Sequence, residues 1–212
     1  MAYTVDWPRI ILASGSPRRR ELLAALGIPF LVVEPDVDEQ AVEVPGDPAA
    51  LVLARARTKA QAVGRRYDGL IVGADTVVVV DGQVLGKPAG PKEAEQMLQR
   101  LSGHRHDVYT GLVVLNSLTH EQAQATEVTR VWMRRLSPEQ IRTYVATGEP
   151  LDKAGAYAVQ GLGSLLVERI DGCFYNVVGL PLMRLSLLLS HFGIDLITGA
   201  GVMMAQGGPG PE

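Results

Sequence analysis

The segment Ile10-Ile11-Leu12-Ala13-Ser14-Gly15-Ser16-Pro17-Arg18-Arg19-Arg20 restricts the fold more than any other stretch of this chain. Four apolar residues read as a buried strand, Ser-Gly-Ser reads as a tight turn, and Pro17 suits the first position of a helix. Ser16 is placed to cap that helix with its hydroxyl. The N–H groups at a helix start lack partners and lie at the positive end of the dipole, so they favour an anion. Three arginines in the first turn work against that dipole. They suit a phosphate-bearing ligand, and read alone they suit a solvated basic face equally well.

The remaining pattern alternates short apolar runs with amphipathic helices, which indicates an α/β protein. Strands are expected at 9–13 and 30–34, with a helix over 17–26 closed by Gly27. An acidic loop through Glu34, Asp36, Asp38, Glu39 and Glu43 leads to Asp47-Pro48, which opens an Ala-rich helix to about Arg66. Leu70 to Val80 is the most apolar strand and ends in Asp81-Gly82, a hairpin turn. Gly90-Pro91 starts a helix through Leu101. Two long strands follow at 105–116 and 121–135, and Ser137-Pro138 begins a helix ending near Gly148. A Gly-rich loop at 148–163 precedes two short strands around Asp171-Gly172 and a last helix from Pro181 to about His191. Residues 1–198 are expected to form one two-lobed domain. Residues 199–212, rich in Gly and Pro, are expected to be a disordered tail.

Bulk properties narrow the partners. A net charge of −3 over 212 residues argues against coating nucleic acid, which needs a basic face. The N-terminal residues lack a basic region followed by an apolar one. No apolar run nears the roughly 20 residues of a membrane span, so a cytoplasmic location away from membranes is expected. Cys173 is the single cysteine, which removes internal disulfides and cysteine-based zinc sites, and it reads as a small buried thiol. His104 and His106 would share a strand face, but Asp107, the only ligand type nearby, lies on the opposite one.

Asp75 interrupts Leu-Ile-Val-Gly-Ala-Asp-Thr-Val-Val-Val-Val, a strand that is otherwise apolar. A lone buried carboxylate there would cost several kcal/mol, so it calls for a cation or hydrogen-bond donors. A metal ion would satisfy it, and so would backbone N–H groups. Glu39 could join Asp75 on magnesium, which takes one or two carboxylates together with phosphate oxygens and water. Lys59 lies within the Ala-rich helix, and Lys87 follows the hairpin in Leu-Gly-Lys-Pro. Gln160 offers both a donor and an acceptor, which suits the edge of a nucleobase. Tyr157 reads as a packing residue.

Ser14-Gly15-Ser16-Pro17-Arg18-Arg19, Gly73-Ala74-Asp75-Thr76, Gly86-Lys87-Pro88, Leu101-Ser102-Gly103, Tyr109-Thr110-Gly111, Asp152-Lys153-Ala154-Gly155-Ala156-Tyr157 and Asn176-Val177-Val178-Gly179-Leu180-Pro181 occur in that order. In this the chain resembles the Maf family of nucleoside triphosphate pyrophosphatases over residues 9–193. The resemblance implies an elongated α/β body around a mixed twisted sheet with a deep cleft, similar to the inosine-triphosphate pyrophosphatases. It also implies hydrolysis of a nucleoside triphosphate to monophosphate and pyrophosphate with a divalent cation, magnesium or manganese.

On the same resemblance Asp75 is the catalytic carboxylate, a proton acceptor, and, with Glu39, a metal ligand. Ser14, Ser16, Arg18, Arg19, Lys59, Thr76, Lys87 and Gln160 are substrate-binding, with Arg18, Thr76 and Gln160 setting specificity. Pro-Arg-Arg, Ala-Asp-Thr and Ala-Tyr-x-x-Gln-Gly are similar to the branch acting on dTTP and UTP, as opposed to the branch acting on 7-methyl-GTP. A homodimer is also implied. Two other readings compete: a nucleotidyltransferase with a similar glycine turn, and a nucleotide-binding regulator of septum formation that does not turn over.

Overall fold

The computed structural model describes residues 8–39 and 41–199. Its seven strands form one mixed sheet: β1 (Ile10–Ala13), β2 (Leu31–Val33), β3 (Leu70–Val80), β4 (Gln83–Leu85), β5 (Arg105–Asn116), β6 (Gln122–Met133) and β7 (Val167–Asp171). The order is β2-β1-β3-β5-β6-β7, with β4 paired to β3. β1 runs parallel to β2 and β3, and every other pairing is antiparallel. The mixed α/β class expected from the sequence is what forms.

The helices α1 (Pro17–Ala24), α2 (Pro48–Gly64), α3 (Pro91–Leu101), α4 (Pro138–Ala146), α5 (Phe174–Val178) and α6 (Leu182–Ser190) pack on the sheet. The first four begin at the prolines that mark them in the sequence. The Asp47 carboxylate caps α2 by accepting from the Ala50 N–H, and Ser137 and Gln140 form a reciprocal capping box on α4. Ser16 differs from expectation. Its hydroxyl caps nothing, and the Ser14 hydroxyl instead accepts the Ser16 N–H at 3.2 Å.

A second difference follows Asp171-Gly172. Only the strand before that turn forms, and the segment after it is the short helix α5. Cys173-Phe-Tyr-Asn-Val-Val has strand-forming composition, but Asn176 is fully buried there. Its Nδ2 donates to the Val108 carbonyl at 3.0 Å and to Thr129 Oγ1 at 2.9 Å. Tertiary bonding has overridden local propensity. Cys173 is half-buried. Apart from Gly199, the expected tail lies outside the described residues.

Burial divides the sheet along its length. At one end Ile10, Leu12, Val72, Leu112 and Val114 pack beneath α1 and α6, while Ile11, Ile71 and Val113 pack beneath Ala56, Ala60 and Val63 of α2. At the other end Val78, Val80, Val108, Val131 and Met133 pack against α3 and α4. β3 and β5 run through both regions. Between them α2 approaches the strands very closely. A Cβ on Gly73 would stand 2.2 Å from the Ala56 carbonyl oxygen, and one on Gly111 would stand 2.5 Å from that of Val52. These two glycines bring the backbone of α2 down onto the sheet and carry Lys59 to β3.

His104 is exposed and His106 is 1% exposed, so the two imidazoles do not share a site. Among the described residues no group of three or more His, Cys, Asp or Glu could hold a metal by itself. His106 Nε2 lies 2.7 Å from the Tyr157 hydroxyl, and burial pushes its pKa down to about 4. The unfolded chain therefore binds this proton more tightly than the folded one. The stabilisation from a neutral His106 is complete above pH 6.5 and is lost as pH falls toward 4. Across that range about 3 kcal/mol is lost. Urea midpoints at pH 7.5 and 4.5 are expected to differ more in the native chain than in His106→Asn; equal differences would show that this histidine does not drive acid sensitivity.

Candidate active site

The site is an interruption in hydrogen bonding along one edge of β3. β1 pairs with β3 only as far as Gly73, and β4 begins to pair at Val78. Ala74, Asp75, Thr76 and Val77 are thus without a strand neighbour on that side, while β5 pairs with all four on the other. Cations replace the missing strand: the Ala74 carbonyl accepts from Arg19 Nη1 at 2.9 Å and from Lys59 Nζ at 3.3 Å. A cleft of about 690 Å³ opens over this gap.

Successive strand residues point to opposite faces. Asp75 turns toward α2, where its Oδ1 is 2.7 Å from Lys59 Nζ. The same ammonium lies 3.0 Å from Glu39 Oε1, so Lys59 bridges the two carboxylates. Both Asp75 and Lys59 are buried. Asp75 Oδ2 is buried with no hydrogen-bond partner, and Arg55 Nη1 stands 4.0 Å away. Burial pushes the Glu39 carboxyl up, but Lys59 (by charge and hydrogen bond), Lys87 and Arg19 outweigh it and hold Glu39 below its usual range.

Thr76 turns toward α1 and α5. Its hydroxyl accepts from Arg19 Nη2 at 3.0 Å and lies 2.8 Å from Thr110 Oγ1, which in turn donates to the Asn176 carbonyl at 3.5 Å. Arg19 also donates from Nε to the Gly179 carbonyl at 2.8 Å and from Nη1 to Ser14 Oγ at 3.3 Å. Four of its five N–H groups therefore end on protein oxygens. Burial pushes its pKa down, against the opposing pull of Asp75 and Glu39. Arg19 is mainly a strut joining α1, β3 and the turn after α5, with one N–H left for a ligand.

Arg18 is more available. Its Nη1 reaches Asp152 Oδ2 at 3.2 Å, but Asp152 is 58% exposed, and such a pair contributes little. Lys87 and Gln160 are exposed and line the cleft, as does Ser16. The structure thus brings Ser14, Ser16, Arg18, Arg19, Glu39, Lys59, Asp75, Thr76, Lys87 and Gln160 to one cavity, and leaves Arg20, His104, His106 and Cys173 out of its lining. Tyr157 lies in its wall, buried, with its hydroxyl pushed above its ordinary pKa by burial.

Sequence reading passed over Arg55 and gave no role to Asp152 and Lys153 beyond their place in a motif, yet all three line the cleft. Arg55 stands four residues before Lys59, one helical turn away, and that spacing was the available signal. Six cationic side chains line the cleft against five acidic ones. The lining is close to charge balance, so the cleft alone does not neutralise a highly charged anion.

Fold and cleft together define a mixed α/β protein with a polar ligand site at an interrupted sheet edge. The chain belongs to the Maf-like protein family, whose model matches residues 9–192. It is 55% identical over 192 residues to a dTTP/UTP pyrophosphatase of Symbiobacterium thermophilum, covering 90% of this chain and 97% of that one. A dTTP/UTP pyrophosphatase of Moorella thermoacetica is 51% identical over 190 residues, covering 89% and 97%. Among solved structures, the Staphylococcus aureus Ham1 protein superposes with a TM-score of 0.45 at 15% identity, covering 75% of this chain and 79% of that one.

Proposed function

We propose that this protein hydrolyses dTTP and UTP to the nucleoside monophosphate and pyrophosphate. The observation that carries the reading is the buried Asp75, held by Lys59 through one oxygen and with no hydrogen bond to the other, in a cleft that also presents Arg18, Lys87 and one N–H of Arg19. Substantial identity to dTTP/UTP pyrophosphatases over nine-tenths of the chain supports the same reaction.

The donor set also fits a divalent cation. An unpartnered buried carboxylate oxygen is costly, and a cation at that oxygen would remove the cost. Asp75 and Glu39 would hold it, with phosphate oxygens and waters filling the remaining positions, as magnesium prefers. The near balance of charge in the cleft points the same way, because a triphosphate brings about four negative charges and a unit pair at about 4 Å is worth ~4 kcal/mol at an effective dielectric near 20. When bound, such an ion supplies Lewis-acid polarisation and acidifies water.

This chain's own residues do the rest. Arg18, Lys87 and the remaining N–H of Arg19 bind the phosphates, and Lys59 fixes the orientation of Asp75. A water attacks the α-phosphorus and gives its proton to Asp75, the bond from the α-phosphorus to the bridging oxygen breaks, and pyrophosphate leaves. Gln160, in the cleft lining, hydrogen-bonds the pyrimidine edge.

The test is pyrophosphate release from dTTP, UTP, CTP, dATP, GTP and 7-methyl-GTP, with magnesium and with a chelator. Release from dTTP and UTP that the chelator abolishes, with the matching monophosphate, is the expected result. Binding without release would replace the enzyme with a nucleotide sensor, and preference for 7-methyl-GTP would overturn the pyrimidine assignment.

A further inference from the structure

The turn that carries Gln160 is held from outside the cleft by a carboxylate with no part in the chemistry above. Helix α4 ends at Ala146, and Gly148, at φ +77°, reverses the chain so that Glu149 points back toward residues 158–163. Glu149 Oε1 accepts from the Tyr144 hydroxyl at 2.9 Å and from the Gly163 N–H at 2.9 Å, and its Oε2 accepts from the Leu162 N–H at 3.1 Å. The Tyr144 hydroxyl in turn accepts the Ala158 N–H at 3.3 Å. The backbone is therefore fixed two residues before Gln160 and two and three residues after it.

The fit at this point is tight. A Cβ on Gly161 would stand 2.9 Å from Glu149 Oε2, and one on Gly163 would stand 2.5 Å from the Tyr144 hydroxyl. Tyr144, on α4, is itself buried in the core that α4 shares with α3. The Gln160 side chain has no hydrogen bond among the described residues. Its aim into the cleft therefore depends on the backbone, and the backbone depends on Glu149.

We infer that Glu149 is a positioning residue for substrate selection, acting through the turn it holds and resting on the reading that Gln160 contacts the base. Fixing the turn before substrate arrives removes an ordering cost that would otherwise weaken binding. In Glu149→Gln one oxygen acceptor becomes an amide donor facing a backbone N–H, so the hold is broken without loss of volume.

The experiment compares kcat and KM for dTTP, UTP and CTP in the native chain, Glu149→Gln, Gln160→Ala and the double variant. Tyr144→Phe, which keeps the ring in the core and removes only the hydroxyl, is read in the same way should Glu149→Gln fail to fold. The KM for dTTP is expected to rise about tenfold in Glu149→Gln, kcat falling by less, with selectivity for dTTP over CTP reduced about fivefold. The double variant is expected to match Gln160→Ala in selectivity, since one residue acts through the other. Altered selectivity in Gln160→Ala with native values in Glu149→Gln and Tyr144→Phe would overturn the inference alone. Unaltered selectivity in Gln160→Ala would overturn the base contact and the inference together.

Discussion

Asp75→Asn is expected to lower pyrophosphate release from dTTP by about 10³-fold or more, the scale on which a positioned proton acceptor contributes. The expectation comes from the two oxygens of this carboxylate. Oδ1 is engaged by Lys59, and Oδ2 has no hydrogen-bond partner. The amide keeps an oxygen that Lys59 can bond but offers neither a proton acceptor of comparable basicity nor a charge for a cation. Stability should change little, because Lys59 remains compensated by Glu39 at 3.0 Å. Steady-state kinetics together with thermal melting separate the effects. Near-native turnover in a folded variant would remove Asp75 from the chemistry.

Lys59→Met is expected to damage the fold as well as the reaction. Methionine fills similar space, but Asp75 is then left buried with only Arg55, 4.0 Å away. Removing one member of a buried pair costs about 3–5 kcal/mol, because the remaining charge stays desolvated. For a domain of this size that lowers Tm by roughly 10 °C. Adding Asp75→Asn to this variant should recover much of the lost stability and none of the activity. A single variant that melts within a degree or two of the native chain would show that Lys59 does not stabilise Asp75.

Much of this site could be read from the chain because its residues break local rules. A carboxylate in the middle of Val-Gly-Ala-Asp-Thr-Val has no reason to be there unless something binds it. Proline at the start of four helices gave their first turns almost to the residue. Other features left no local trace. Three consecutive arginines do not show which one turns inward, and only packing assigns Arg19 to bracing and Arg18 to the cleft wall. Lys59 as the bridge between two acids depends on how closely α2 lies over Gly73 and Gly111, a property of two surfaces. Arg55 sits in an Ala-rich helix whose charges look solvated. The helix at Phe174–Val178 exists because Asn176 finds strand partners distant in sequence.

The four-residue gap on β3 also bears on how the chain stays apart from its own copies. An apolar strand with free N–H and C=O groups invites another strand to pair with it. Here the vacant edge lies inside the most apolar strand, Leu70–Val80, and its occupants are side chains of Arg19 and Lys59. Charges at such a position act as gatekeepers against intermolecular β-pairing. Arg19 and Lys59 therefore serve two ends, holding the site together and keeping its strand edge from pairing, and an apolar replacement of either would compromise both.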